Sequence, residues 1–243
     1  MPEQSKPDFG FRISKPFPII DVIIPAYNEE NSVGKVVGDI PVFVRHVIVV
    51  NNNSNDQTRL VAEKAGAIVL DEMQKGYGKA CLKGISYLES LEKRPDLVVF
   101  LDADYSDYPE EMTAVIRPIL EEDFDMVIGS RARGNREKGS MTIPQVFGNW
   151  LATSLMKSIY KTDYSDLGPF RAIKWSKLCE IQMEDQDFGW TIEMQIKAAK
   201  KNLRTTEVPV NYKKRIGVSK VSGTVKGTFM AGYKILWTIW KYK

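Results

Sequence analysis

The sequence predicts an α/β protein with a mostly parallel central sheet, helices on both faces and an elaborated C-terminal third carrying amphipathic helices. Three observations carry that expectation. Strand-like and helix-like segments alternate through about residue 130. The strand-like segments are short, nearly continuous apolar runs, as expected of strands buried on both faces. Three of these runs end in polar turns, and in an open α/β sheet such strand ends gather on one edge, where ligands bind.

The first apolar run, 19–24, is interrupted by Asp21 and ends at Pro25. Spaced Val33, Val36, Val37 and Ile40 predict a helix over 31–40. A second strand, 47–50, opens into the polar turn 51–56. A helix over 60–65 leads to a short strand, 67–70. Gly76-Tyr77-Gly78-Lys79 opens a helix to about residue 91. The run 97–101 is the most strand-like of all, and Asp102-Ala103-Asp104 closes it. A helix over 109–121 and a strand over 126–130 complete the alternation. Beyond lie a charged loop (131–140), a helix over 145–160, strand character over 203–212 and an aromatic-rich terminal helix. No second core is visible, so the boundaries expected are a lead-in over 1–18, one α/β domain over 19–223 and a terminal helix over 224–243.

The chain of 243 residues is 43% hydrophobic and 27% charged, ordinary for a globular protein. Cys81 and Cys179 lack metal-ligand spacing and read as core residues of a reduced, cytosolic protein. His46 is the only histidine and reads as a surface residue, so a His-based triad or multi-histidine metal site is excluded. No uninterrupted apolar run has the length of a membrane span, and the polar N-terminus lacks a signal-peptide core. The net charge of +3 hides an asymmetry: residues 197–243 hold 12 Lys and Arg against one acid, Glu207. A basic end on an acidic body points to an anionic partner or to a solvated tail.

Asp102 and Asp104, at i and i+2 beyond a buried strand, can point the same way and share a hard divalent cation, Mg²⁺ or Mn²⁺. A cation with so few protein ligands keeps positions open for substrate phosphates. Tyr27 can stack on a base, while Glu29 and Asn52 can hydrogen-bond base or ribose. The alternative is three ordinary turns built of turn-formers.

Taken in order, Pro25-Ala26-Tyr27-Asn28-Glu29-Glu30, the N-x-x-S-x-D turn at 51, GYGKA and the DAD turn resemble family 2 inverting glycosyltransferases of the GT-A, Rossmann-like fold. The likeness continues through Gly129-Ser130-Arg131, 162–171 and Arg215-x-x-Gly217-x-Ser219-Lys220. It covers about 19–240 and is greatest to enzymes moving glucose or mannose from a nucleotide sugar to dolichyl or polyprenyl phosphate.

The resemblance implies nucleotide-sugar contacts from Pro25, Ala26, Tyr27, Glu29, Asn52, Lys79, Asp102, Ala103 and Asp104. Asn52 stands where many relatives have an aspartate. An amide both donates and accepts, which suits uracil and favours UDP over GDP. Lys79 sits near the nucleotide, fixes its loop or faces solvent. Asp104 is the stronger metal ligand, and Ser106 replaces a glutamine that many relatives supply.

An acceptor phosphate needs cations more than a base, so Arg131, Arg171, Arg215, Ser219 and Lys220 are the acceptor-phosphate candidates. Asp185, Asp187 and Glu193 lie where relatives keep a base for hydroxyl acceptors, Asp187 or Asp185 being preferred; beside a lipid phosphate they would orient cations or sugar.

In the terminal helix Val225, Phe229, Tyr233, Leu236 and Trp240 share one face, with Lys234 and Lys241 on another. Phe147, Trp150, Leu151, Leu155 and Ile159 form a second apolar set. Both read as interfacial helices or as helices packed on the body. Together they predict peripheral attachment to the cytoplasmic face of a membrane. A homo-oligomer is left open. The competing readings are a family 2 enzyme with a hydroxyl acceptor and a nucleic-acid-binding module. The latter is disfavoured by the lack of any such motif, so no nucleic-acid partner is expected.

Overall fold

The computed structural model describes residues 17–217 and 225–243. One seven-stranded sheet organises the chain, built from β1 (Ile20–Ala26), β2 (His46–Asn51), β3 (Ile68–Asp71), β4 (Leu97–Phe100), β5 (Met126–Ser130), β6 (Arg171–Lys174) and β7 (Thr205–Pro209). Its order is β3-β2-β1-β4-β6-β5-β7. β1 pairs parallel to β2 and β4, β2 to β3, and β5 to β7. Only β6 runs against its neighbours, wedged antiparallel between β4 and β5. The mostly parallel sheet is therefore as expected, and β6 is the strand that the apolar pattern did not announce.

The helices are α1 (Val33–Gly38), α2 (Thr58–Lys64), α3 (Tyr77–Ser90), α4 (Met112–Glu122, entered through a 3-10 turn at Pro109–Glu111), α5 (Ile143–Tyr160), α6 (Trp175–Ile181), α7 (Trp190–Lys200) and α8 (Val225–Lys241). Two cores, one on each face of the sheet, confirm the layered arrangement. Along β1, Ile23 faces a core shared with α3, α5 and α7, whereas Val22 and Ile24 face one shared with α1, α2 and α4. This period of two on a strand apolar at both faces is the reason the sequence reads as a continuous run. Each such side chain, fully buried, contributes about 1.5–3 kcal/mol.

α5 begins before its apolar pattern because Thr142 and Gln145 form a reciprocal capping box and Pro144 sits in the first turn. α6 and α7 lie in a stretch where the apolar pattern predicts no element. Asp21 does not interrupt β1: it is buried in the strand and paired with Arg45 at 2.5 Å. His46 opens β2 half-buried, its Nδ1 3.6 Å from Asp21, and is not a free surface residue. Cys81 is in the core as expected, but Cys179 is exposed, because it lies on the outer side of α6. Of the expected lead-in, 1–16 lie outside the described residues, and Phe17 packs against Phe43 at 5.9 Å between ring centroids.

Candidate active site

The turns after β1, β2 and β4 meet over a cavity of about 380 Å³ at the carboxyl edge of the sheet. Pro25, Ala26, Tyr27 and Glu29 line one side, and Asp102, Ala103 and Asp104 the other. Each turn is made by a residue in the left-handed region: Asn28 (φ 55°), Asn53 (φ 59°) and Tyr105 (φ 62°). Asn tolerates that region readily. For Tyr105 it is uncommon. The first two turns are laced together. Ser54 Oγ accepts from Asn28 N–H at 2.9 Å, Thr58 Oγ1 from Glu29 N–H at 2.7 Å, and Asn28 Oδ1 from Asn55 N–H at 2.8 Å. The N-x-x-S-x-D turn thus braces the loop that carries Tyr27 and Glu29.

Asn52 lines the cavity, but its amide is engaged. It donates to the carbonyls of Glu72 (3.2 Å) and Gln74 (2.8 Å) and accepts from Gly76 N–H (2.8 Å). Both of its donors hold the 72–76 loop, a role the sequence reading did not anticipate. Held there, Lys75 reaches Tyr27, its ammonium 2.7 Å from the hydroxyl and 4.6 Å from the ring centroid. Lys79 does not line the cavity: its ammonium bonds Gln74 Oε1 at 2.6 Å. That contact fits the loop-fixing reading among the three.

The carboxylates are oriented by neighbours. Tyr77 donates its hydroxyl to Asp102 Oδ1 at 3.0 Å. Ser106 N–H and Oγ both donate to Asp104 Oδ1, so Ser106 positions Asp104. Arg215 reaches in with one nitrogen 3.1 Å from Asp104 Oδ2 and another 3.0 Å from Glu29 Oε1. Burial, then the Asp104 charge, push the Asp102 carboxyl up to about 7. Asp107, 2% exposed, has no hydrogen-bond partner on either oxygen among the described residues. Burial and the charges of Asp102 and Asp104 raise it well above the usual carboxylate range.

A cluster of buried acids that cannot all ionise together is a fit for a hard cation. Among the described residues no three His, Cys, Asp or Glu side chains converge on one point. Asp102 and Asp104 are the cavity carboxylates that could hold such an ion, with its remaining positions open toward a ligand.

The far wall comes from the 184–189 loop, packed on the start of α3 with no room to spare. A Cβ at Gly78 would lie 2.0 Å from the Asp185 carbonyl oxygen, and one at Gly76 2.3 Å from that of Gln186. That contact delivers Asp187 and Phe188 to the cavity. Burial, then Asp185, raise the Asp187 carboxyl. Asp185 instead accepts from the backbone of Asp187 and Gly189 and pairs with Lys234 at 3.0 Å. Glu193 is buried, accepting from the backbone of Glu184 and Asp185 and from the Tyr242 hydroxyl. Of the three acids, only Asp187 lines the cavity.

The expected cations separate. Arg215 lines the cavity. Arg131 is bonded to Asp166 through two guanidinium contacts of 2.9 and 2.7 Å and stacks on Tyr212; burial disfavours its charge, but Asp166 holds it well above the usual value. Arg171 is fully buried, donating to the carbonyls of Leu167, Gly168 and Thr191, and burial lowers it to about 10. It fastens β6 to α7, which corrects its expected role on an acceptor phosphate. Ser219 and Lys220 lie outside the described residues.

Beside the site, α5 and α8 pack together and leave apolar surface uncovered. Phe147 and Trp150 on α5, and Tyr233, Leu236, Trp237 and Trp240 on α8, are exposed, Trp150 by 60% and Trp240 by 66%. Thr238 and Ile239 of α8 are buried. The helix therefore both packs on the body and presents an aromatic face. Lys234 and Lys241 pair with Asp185 and Glu184, tying α8 to the 184–189 loop. The side chains of Val225 and Phe229 lie outside what is described. No helix among the described residues is long and apolar enough to cross a membrane.

Lys75, Tyr77, Phe188 and Asp107 escaped the sequence reading. Tyr77 stood inside a quoted motif, and Asp107 three residues past Asp104. For Lys75 and Phe188 only the folded loops bring them in.

The family model for Glycosyl transferase family 2 matches residues 21–179. An uncharacterized glycosyltransferase of Mycobacterium tuberculosis is 30% identical over 87% of this chain and 94% of its own. A dolichyl-phosphate hexose transferase of Haloferax volcanii is 29% identical over 84% of this chain and 87% of its own. Among solved structures, glucosyl-3-phosphoglycerate synthase of M. tuberculosis, in complex with Mn²⁺, UDP and phosphoglyceric acid, superposes with a TM-score of 0.73 at 19% identity, over 93% of this chain and 78% of that one. The architecture is that of the GT-A fold.

Proposed function

The chain belongs to glycosyl transferase family 2, and we propose that it moves glucose or mannose from a nucleotide sugar to dolichyl or polyprenyl phosphate with inversion. The observation that carries the reading is one cavity holding both a carboxylate pair suited to a divalent ion and a cation, Arg215, beside an exposed aromatic helix face. Asp102 and Asp104 would hold Mg²⁺ or Mn²⁺. Bound there, the ion supplies positive charge to a diphosphate leaving group.

The chain's own groups do the rest. Tyr77 and Ser106 fix the two carboxylates, and Tyr27 with Lys75 forms a polar, stackable wall for the base. We favour a uridine nucleotide because a solved structure of the same fold is in complex with UDP. An acceptor phosphate is already anionic and nucleophilic, so it needs charge and orientation, which Arg215 provides, and no strong base. The aromatic faces of α5 and α8 would lie at a membrane surface, along which the lipid tail runs.

A second reading has its own support. Asp187 lines the cavity with a raised carboxyl, as a base for a hydroxyl acceptor would. A non-lipid acceptor is also supported by the neighbour of the same fold in complex with phosphoglyceric acid.

The test is Asp104→Ala assayed with UDP-glucose, Mn²⁺ and polyprenyl phosphate. Transfer is expected to fall by a factor of 10³ or more, about 4 kcal/mol of barrier, with the melting temperature preserved. Near-normal turnover would refute the metal assignment.

A further inference from the structure

Asp104 faces the cavity with one oxygen, and that oxygen is already taken. Oδ1 accepts two bonds from Ser106, while Oδ2 lies 3.1 Å from the Arg215 guanidinium. The same guanidinium bridges to Glu29 Oε1 at 3.0 Å, joining the turns after β1 and β4. Glu29 and Asp104 are both buried, so the bridge is little screened by solvent. Arg215 therefore stands where a divalent cation would have to approach Asp104, and two cations cannot share that oxygen without strong repulsion.

The geometry also shows what is free to move. The Arg215 backbone is pinned on both sides, Lys213 N–H to the Ser106 carbonyl and Ile216 N–H to the Asp104 carbonyl, each at 2.9 Å. The guanidinium is less completely held: its Nε is buried with no hydrogen-bond partner among the described residues. A buried idle donor marks a side-chain pose that does not satisfy the group fully. Rotation about the long side chain can carry the head away from the carboxylates while the turn stays in place.

We propose that Arg215 is a built-in counter-cation, exchanged for the divalent metal at Asp104. In the metal-free protein it neutralises Glu29 and Asp104. When the metal binds, Arg215 leaves Asp104 and its head becomes available to an anionic acceptor. This deepens the reading above, on which it rests, by making acceptor binding conditional on metal loading. Metal and donor then bind first, and the acceptor phosphate second.

The experiment measures Mn²⁺ binding, with no turnover, by the EPR signal of free Mn²⁺ titrated into the full chain. Arg215→Gln is expected to bind Mn²⁺ about tenfold more tightly than the unaltered protein, with Arg215→Lys between them. In Arg215→Ala, free guanidinium at tens of millimolar should weaken Mn²⁺ binding again, while NaCl at equal ionic strength should not. That arm guards against an affinity change from altered folding. Equal or weaker Mn²⁺ binding by Arg215→Gln, or no guanidinium effect, overturns the exchange. Absence of Mn²⁺ binding by the unaltered chain even with UDP would instead overturn the metal-dependent reading itself, and the exchange with it.

Discussion

Residues in and under the site do work that only the folded chain makes visible. Asp107 is the clearest case: buried, unpartnered among the described residues and beside two other acids. Its carboxyl is raised in the fold, so the folded protein holds that proton more tightly than the unfolded one. The resulting stability is present below the unfolded value of about 3.9 and is lost as pH rises toward the folded value. Asp107→Asn should thus stabilise the metal-free protein at pH 8 by roughly 1–3 kcal/mol and have much less effect at pH 5. Urea melts in EDTA at both pH values check this; a variant no more stable at pH 8 would contradict it. Sequence position alone located the DAD pair, because a buried strand announces its own end. It did not foresee that the Asn52 amide and the Arg171 guanidinium hold backbone carbonyls, because a polar side chain in a motif looks the same whether it faces a ligand or a backbone carbonyl.

Elements were legible where they obeyed one period. β1, β2, β4 and β5 are apolar on both faces and were found close to their true ends. β6 escaped because its four residues include Arg171 and Lys174, whose partners lie far away in sequence. α7 escaped because its buried face includes Glu193 and Gln195, which break the apolar count. The GYGKA turn was read as a helix start, but its glycines matter more as the floor on which the 184–189 loop rests. Gly78→Ala would force that loop outward, moving Asp187 and Phe188. We expect a loss of about 1–3 kcal/mol in stability, the usual cost of overpacking, together with a large fall in transfer rate. Gly38→Ala, with nothing within 4 Å of the added Cβ, is the control and should be neutral or slightly stabilising. Equal behaviour of the two variants in thermal melts and assays would contradict the packing account.

Across the whole molecule, the sheet gathers the cavity on one edge, and α8 connects that edge to an exposed aromatic face. Lys234 and Lys241 bind the 184–189 loop, and Tyr160 donates to the Ile239 carbonyl at 2.7 Å, so α5, α8 and the Asp187 loop form one connected unit. The charge asymmetry seen in the sequence becomes a placement: Arg215 crosses from the basic end to the acidic cavity. The acceptor proposed for the sugar is a lipid phosphate. The most direct measurement supplies radiolabelled UDP-glucose or GDP-mannose, Mn²⁺ and polyprenyl phosphate, and follows label into the solvent-extractable lipid fraction. Label in that fraction, dependent on metal and polyprenyl phosphate, is the expected result. Label that stays in the aqueous phase with either donor, on an enzyme that still turns over with a hydroxyl acceptor, would contradict it.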